Sequence, residues 1–156
     1  MRSFIRSKCP KMKVVDMADR SGLPLDMLYR LLSKRNGSNR HMRLVLRVCG
    51  GLSRATGESS EDIFVEYILG DVCGCGVVGS FEDVRSWLDH YKGEYYYQDV
   101  CAVMGVDKQV VTNWTKKKNL PTDKFFKWLL SSLVSLTGGD EEEMCRSFFR
   151  MVVRLG

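Results

Sequence analysis

Histidine is scarce in this chain: only His41 and His90 occur in 156 residues. Neither has a nucleophile or metal partner at catalytic spacing, and no Gly-rich phosphate loop is present, so an enzyme is not expected. No apolar run approaches the roughly 20 residues that span a bilayer. The basic start (Arg2, Arg6, Lys8, Lys11, Lys13) has no apolar block behind it, so no secretory signal and no membrane partner are expected. Period-two alternation of apolar and polar residues is also scarce, which argues against sheet. What is present, 44% apolar and 28% charged residues, excludes a disordered chain.

Six cysteines (Cys9, Cys49, Cys73, Cys75, Cys101, Cys145) raise disulfides and metal. A chain with this many apolar residues builds a core without staples, so reduced thiols are the expectation. Cys49, Cys101 and Cys145 fall in apolar helical patterns, where a thiol acts as a small buried hydrophobe. Only Cys73-Gly74-Cys75 has ligand-like spacing. A structural zinc site needs four ligands, and His41 and His90 complete no recognised pattern, so neither metal nor cofactor is expected.

The segment Gly70 to Gly79 holds four glycines besides Asp71, Val72, Val77, Val78 and two cysteines. Each glycine costs about 1 kcal/mol against Ala inside a helix, so a linker is expected at 71–79. It is expected to divide the chain into helical domains at 1–70 and 80–156, the alternative being a single helical domain with an internal loop. Helix starts are marked at Ser60-Glu61-Asp62, at a capping-box pattern Ser80-Phe81-Glu82-Asp83, at Pro121-Thr122-Asp123, and at Asp140 with Glu141, Glu142 and Glu143. The last helix, with Met144, Cys145, Phe148, Phe149, Met151, Val152 and Leu155, is apolar around more than half its circumference. Such a helix is sunk in its own domain or forms a homodimer with a second copy. Tyr95, Tyr96 and Tyr97 are expected to pack on the helix that follows them.

The two halves repeat at an offset of 83. In the first copy Ala18 precedes Gly22 by four, with Leu28 and Leu31 six and nine positions beyond the glycine. In the second, Cys101, Gly105, Val111 and Trp114 take the same places. These residue types suit two short helices crossing steeply. The small residue allows close approach, the glycine takes a left-handed backbone at the first helix's end, and the apolar pair clamps one face of the second helix. Three or four residues then form the turn.

Both copies resemble the helix-turn-helix of the phage Cro and repressor (XRE-like) regulators. The closer match runs from Gly105 to Pro121. In that family a small polar residue and Trp end the recognition helix, and basic residues and Pro follow. Asn113, Trp114, Lys116, Lys117, Lys118 and Pro121 stand in those places here. The first copy, Asp16 to Leu32, matches less closely and continues through an apolar helix at 42–52 to Gly57. The resemblance covers most of 11–69 and 80–137 and leaves out the last helix. It implies an all-α fold of two lambda-repressor-like helix-turn-helix bundles. It also implies a sequence-specific regulator, expected to be a repressor, of phage or mobile-element type, acting on double-stranded operator DNA in the cytoplasm of a bacterial host. At 156 residues the self-cleaving peptidase domain of larger phage repressors, and derepression by autoproteolysis, are not expected.

A recognition helix lies in the major groove with its N-terminal residues at base edges. In the second copy Lys108, Gln109, Thr112, Asn113 and Lys116 face outward. Gln and Asn pair bidentately with adenine, Lys donates to guanine, and Thr takes polar edges or a thymine methyl. Lys116, Lys117 and Lys118 follow as phosphate contacts or as a solvated helix end. The first copy offers Pro24, Leu25, Asp26, Tyr29, Arg30 and Ser33, with Lys34 and Arg35 beyond. Leu25 and Asp26 are poor groove readers, whereas Tyr29 and Arg30 suit bases. Arg40, Arg43 and Arg47 fall at helical spacing as a stripe for phosphates or internal salt bridges. Residues 1–72 hold 13 basic and 8 acidic residues and 73–156 hold 11 of each, so the whole +5 excess lies in the first half.

Two heads on one chain could engage successive major grooves about 34 Å apart. Fully stretched, the ten residues 70–79 reach about 33–36 Å, and as a flexible coil they average about 17 Å. Two other readings stay open. One is a protein-binding inhibitor or adaptor, because some anti-CRISPR proteins pair a helix-turn-helix autoregulatory domain with an inhibitory one. The other is helix pairs that serve only as scaffolding.

Overall fold

A computed structural model describes residues 1–33, 39–74, 76–117 and 119–156. Among these the fold is all-α, with ten helices. The first half contributes α1 (Arg2–Lys8), α2 (Val14–Ser21), α3 (Leu25–Leu32), α4 (Met42–Thr56) and α5 (Ser60–Leu69). The second contributes α6 (Val84–Tyr91), α7 (Tyr97–Met104), α8 (Lys108–Thr115), α9 (Asp123–Thr137) and α10 (Glu141–Leu155). None is long and apolar enough to cross a membrane.

The repeat extends over all five helices. α2 and α3 coincide with α7 and α8 at offset 83, and α4 and α5 begin 81 residues before α9 and α10. The offset falls because residues 116–122 join α8 to α9, whereas 33–41 join α3 to α4. Corresponding helices end alike. Gly22 and Gly105 close α2 and α7 with φ of 65° and 68°, and Gly57 and Gly138 close α4 and α9 at 81° and 68°. An L side chain at those angles is strained, so glycine stops each helix and turns the chain. α1 is the element the sequence pattern did not disclose. It is about two turns long, anchored by Ile5, which is fully buried, with Cys9 just past its end.

Buried residues from both halves form one connected core. Its centre is aromatic: Phe126 stacks on Phe148 at 4.1 Å, Phe64 lies 5.2 Å from Phe149, and Trp87 sits edge-on to Phe148. The Trp87 indole N–H donates to the Ser147 hydroxyl at 2.9 Å, so its polar edge is satisfied inside the core. α10 packs on α5, α6 and α9, which cover Met144, Cys145, Phe148, Met151 and Val152. The apolar face that could have paired with a second copy is occupied within the chain, leaving Val153 and Leu155 exposed.

The seam between halves joins matching elements. α5 packs against its counterpart α10. His41 and Thr122, the residues that precede α4 and α9, face each other in an antiparallel bridge. There the Asp123 amide donates to the Arg40 carbonyl at 2.9 Å, and the Arg40 amide donates to Asp123 Oδ1 at 2.7 Å. Tyr67 donates its hydroxyl to the other Asp123 oxygen. Charge closes the rim. Arg146 Nη1 meets Glu61 at 2.9 Å, its Nη2 meets Asp62 at 2.7 Å and Glu142 at 2.8 Å, and Arg150 adds a second hold on Glu61.

Three expectations change in detail. Linker reach does not set the spacing of the halves, because the seam fixes it. The Cys73 and Gly74 amides also donate to the Glu142 carboxylate at 2.9 and 3.0 Å. The capping box before α6 begins at Asp83 and not at Ser80: the Asp83 carboxylate accepts from the Ser86 amide, and the Ser86 hydroxyl accepts in return. Tyr97 packs and donates to Asp89 of α6, but Tyr95 and Tyr96, which precede α7, stand exposed.

Candidate nucleic-acid interface

α8 follows α7 after the turn Gly105-Val106-Asp107. Asp107 caps it, its carboxylate accepting from the Gln109 amide at 2.7 Å. The inward face is Val111 and Trp114, both buried, with Trp114 against Phe125 at 6.1 Å. α3 is held the same way by buried Leu28 and Leu31. The apolar pair three apart clamps each second helix, as its spacing requires.

The opposite face of α8 is open. Lys108, Gln109 and Lys116 are exposed, and Thr112 and Asn113 are half-buried. The Gln109 side-chain amide donates to Asn113 Oδ1 at 2.8 Å. This bond spans one helical turn and fixes both amides, leaving Gln109 Oε1 to accept and Asn113 Nδ2 to donate outward. One acceptor beside one donor is the complement of the adenine major-groove edge. The Thr112 hydroxyl donates back to the Lys108 carbonyl at 2.9 Å. Lys116 ends the helix. Lys117, in a left-handed backbone at φ 59°, reaches Asp83 at 3.1 Å and ties the end of α8 to the start of α6. The Ser86 amide, then Lys117, hold the Asp83 carboxyl below its ordinary range. Lys118, Lys34 and Arg35 lie outside the described residues.

The α3 face has another character. Leu25, Asp26, Tyr29, Arg30 and Ser33 are exposed. Arg30 and Asp26 pair with each other at 2.8 Å, so among the described residues of α3 the cation on this face has an anion beside it. Arg40 leaves the proposed stripe: it precedes α4, is half-buried in the seam, and its Nε is buried without a partner. Arg43 and Arg47 remain, both exposed on α4.

Other supporting residues gave no signal by pattern. Arg54 reads as one more surface cation, yet its Nε donates to the Ser21 carbonyl at 2.8 Å and braces the end of α2. Gly51 reads as a flaw in α4, yet a Cβ there would meet Leu23 of the α2–α3 turn at 2.7 Å. Both act across elements, where linear spacing carries no information. Two open clefts, of about 340 and 480 Å³, lie beside Trp128 and beside Arg20, and neither is lined by the outward residues of α3 or α8. Among the described residues no His, Cys, Asp and Glu group could hold a metal ion.

No protein family, curated protein or solved structure matches this chain.

Proposed function

We propose that this chain is a sequence-specific double-stranded-DNA-binding regulator, a repressor by its resemblance, whose main reading helix is α8. The observation that carries this is the α8 surface: exposed Lys108, Gln109 and Lys116, with half-buried Thr112 and Asn113 among them, lie over a buried Val111–Trp114 clamp. A helix braced from beneath, with bidentate amides in its first turns and a lysine at its end, has what a major-groove reader needs. Lysines and the arginines of α4 supply phosphate attraction, and the basic excess of the first half adds to it.

Fluorescence anisotropy against duplexes selected from a random library tests this reading. Binding should weaken steeply as salt rises. Gln109→Ala with Asn113→Ala should cost about 1–3 kcal/mol of discrimination at one part of the site. Enrichment of no sequence would defeat the proposal.

The α3 face favours a second reading for its half. Leu25 and Tyr29 are apolar and exposed, and Arg30 is neutralised by Asp26. Exposed apolar side chains beside an ion pair also fit a protein surface, as an inhibitor or adaptor would require. If Tyr29→Ala with Arg30→Ala leaves DNA affinity unchanged, the α3 face is free for such a partner.

A further inference from the structure

Two reading units in one chain can be related by translation or by a two-fold axis, and the seam distinguishes them. Translation brings different parts of neighbouring units together, whereas a dyad brings each element against its own counterpart. Here α5 packs on α10, and His41 bridges Thr122, which occupies the same position 81 residues later. An antiparallel bridge between corresponding residues is locally two-fold. Arg146 adds to the same arrangement by gripping Glu61 together with Glu142, its counterpart at offset 81. The shared core and the charged rim then hold the two units as one body.

We infer that the chain is a covalent pseudo-dimer that presents α3 and α8 about an internal two-fold axis. One copy therefore covers a DNA site whose halves run in opposite directions. The inference rests on the DNA reading above and adds the geometry and stoichiometry of the site. A two-fold pair of heads places half-sites as an inverted repeat, and successive major grooves on one DNA face put their centres about 10 base pairs apart. Because α3 carries Leu25, Asp26, Tyr29 and Arg30 where α8 carries Lys108, Gln109, Thr112 and Asn113, the natural half-sites differ in sequence. The inversion is thus hidden in the natural site.

Making the heads alike exposes it. The variant Leu25→Lys, Asp26→Gln, Tyr29→Thr, Arg30→Asn gives α3 four of the five outward residues of α8, and all four replaced residues are exposed. Selection of this variant on random duplexes should return a palindrome. An inverted repeat of the α8 half-site should be bound about a hundredfold tighter than a direct repeat of it, because only the inverted repeat engages both heads. The unaltered chain should bind its own selected duplex one to one, measured by sedimentation. A direct repeat, a lone half-site, loss of binding by a variant with unchanged thermal unfolding, or two unaltered chains per site would each overturn the pseudo-dimer while leaving DNA binding intact. Failure of the unaltered chain to select any sequence would instead remove the DNA reading itself.

Discussion

At the scale of single residues, Gly50 and Gly51 adjoin on α4 and should respond oppositely to the same change. A Cβ at Gly51 would lie 2.7 Å from Cγ and Cδ1 of Leu23, a buried side chain. Overpacking costs about 1–3 kcal/mol, more than the roughly 1 kcal/mol that Ala gains over Gly in a helix. At Gly50 the nearest atom is the flexible end of Arg54 at 3.8 Å, so Gly50→Ala keeps the helix gain. Urea unfolding should show Gly51→Ala less stable and Gly50→Ala more stable than the parent; equal shifts would refute this account. The cysteines give a second check. Burial pushes the Cys49 thiol up to about 12 and the Cys145 thiol well above its usual value. Iodoacetamide at pH 8 should modify exposed Cys73 in the native chain and reach Cys49 and Cys145 only in denaturant, as peptide mass mapping would report. The sequence pattern already marked these two thiols as core, whereas nothing in it separated Gly50 from Gly51. That difference depends on Leu23, which is distant in sequence.

At the scale of elements, caps and clamps were legible because each is written within a few residues. The glycines ending α2 and α7, the pairs Leu28–Leu31 and Val111–Trp114, and the starts at Thr122 and Asp140 all follow from local spacing. α8 depends on its cap more than α3 does, since Asp107 accepts from Gln109 whereas Pro24 has no side chain to offer. Asp107→Ala should therefore lower stability by about 0.5–2 kcal/mol. It should also loosen the reading face, seen as faster amide exchange at Gln109 and Val110. Unchanged exchange there would separate the cap from the reading helix. α1 was illegible for the converse reason. A helix of seven residues with a single buried side chain carries too little periodicity to read, and it forms because α3 and α4 offer it a surface.

At the scale of the whole molecule, the seam is a set of contacts between distant residues, and its charges give it a pH signature. Burial alone would raise the Glu61 carboxyl, but bonds from Arg150 and Arg146 outweigh it and hold the group below its ordinary 4.5. A depressed folded value means the stabilisation is complete above the unfolded value and disappears as pH falls through the folded one. Glu61→Gln should cost about 1.5–3 kcal/mol at pH 7, the range for hydrogen bonds to charged groups. The gap between variant and parent in thermal unfolding should close as pH drops below 4.5. A gap that persists into acid would assign the loss to packing instead.

The order of residues along the chain was enough to determine an all-helical fold, a repeated helix pair and the outward residues of α8, because helical period, capping and glycine backbone freedom all operate over a few positions. Only tertiary structure decided that Arg40 belongs to the seam, that Arg54 braces α2 and that α10 spends its apolar face on its own chain. Each depends on which surfaces meet after the chain has doubled back. Burial and charge pairing act through space, and one sequence spacing is compatible with many such meetings.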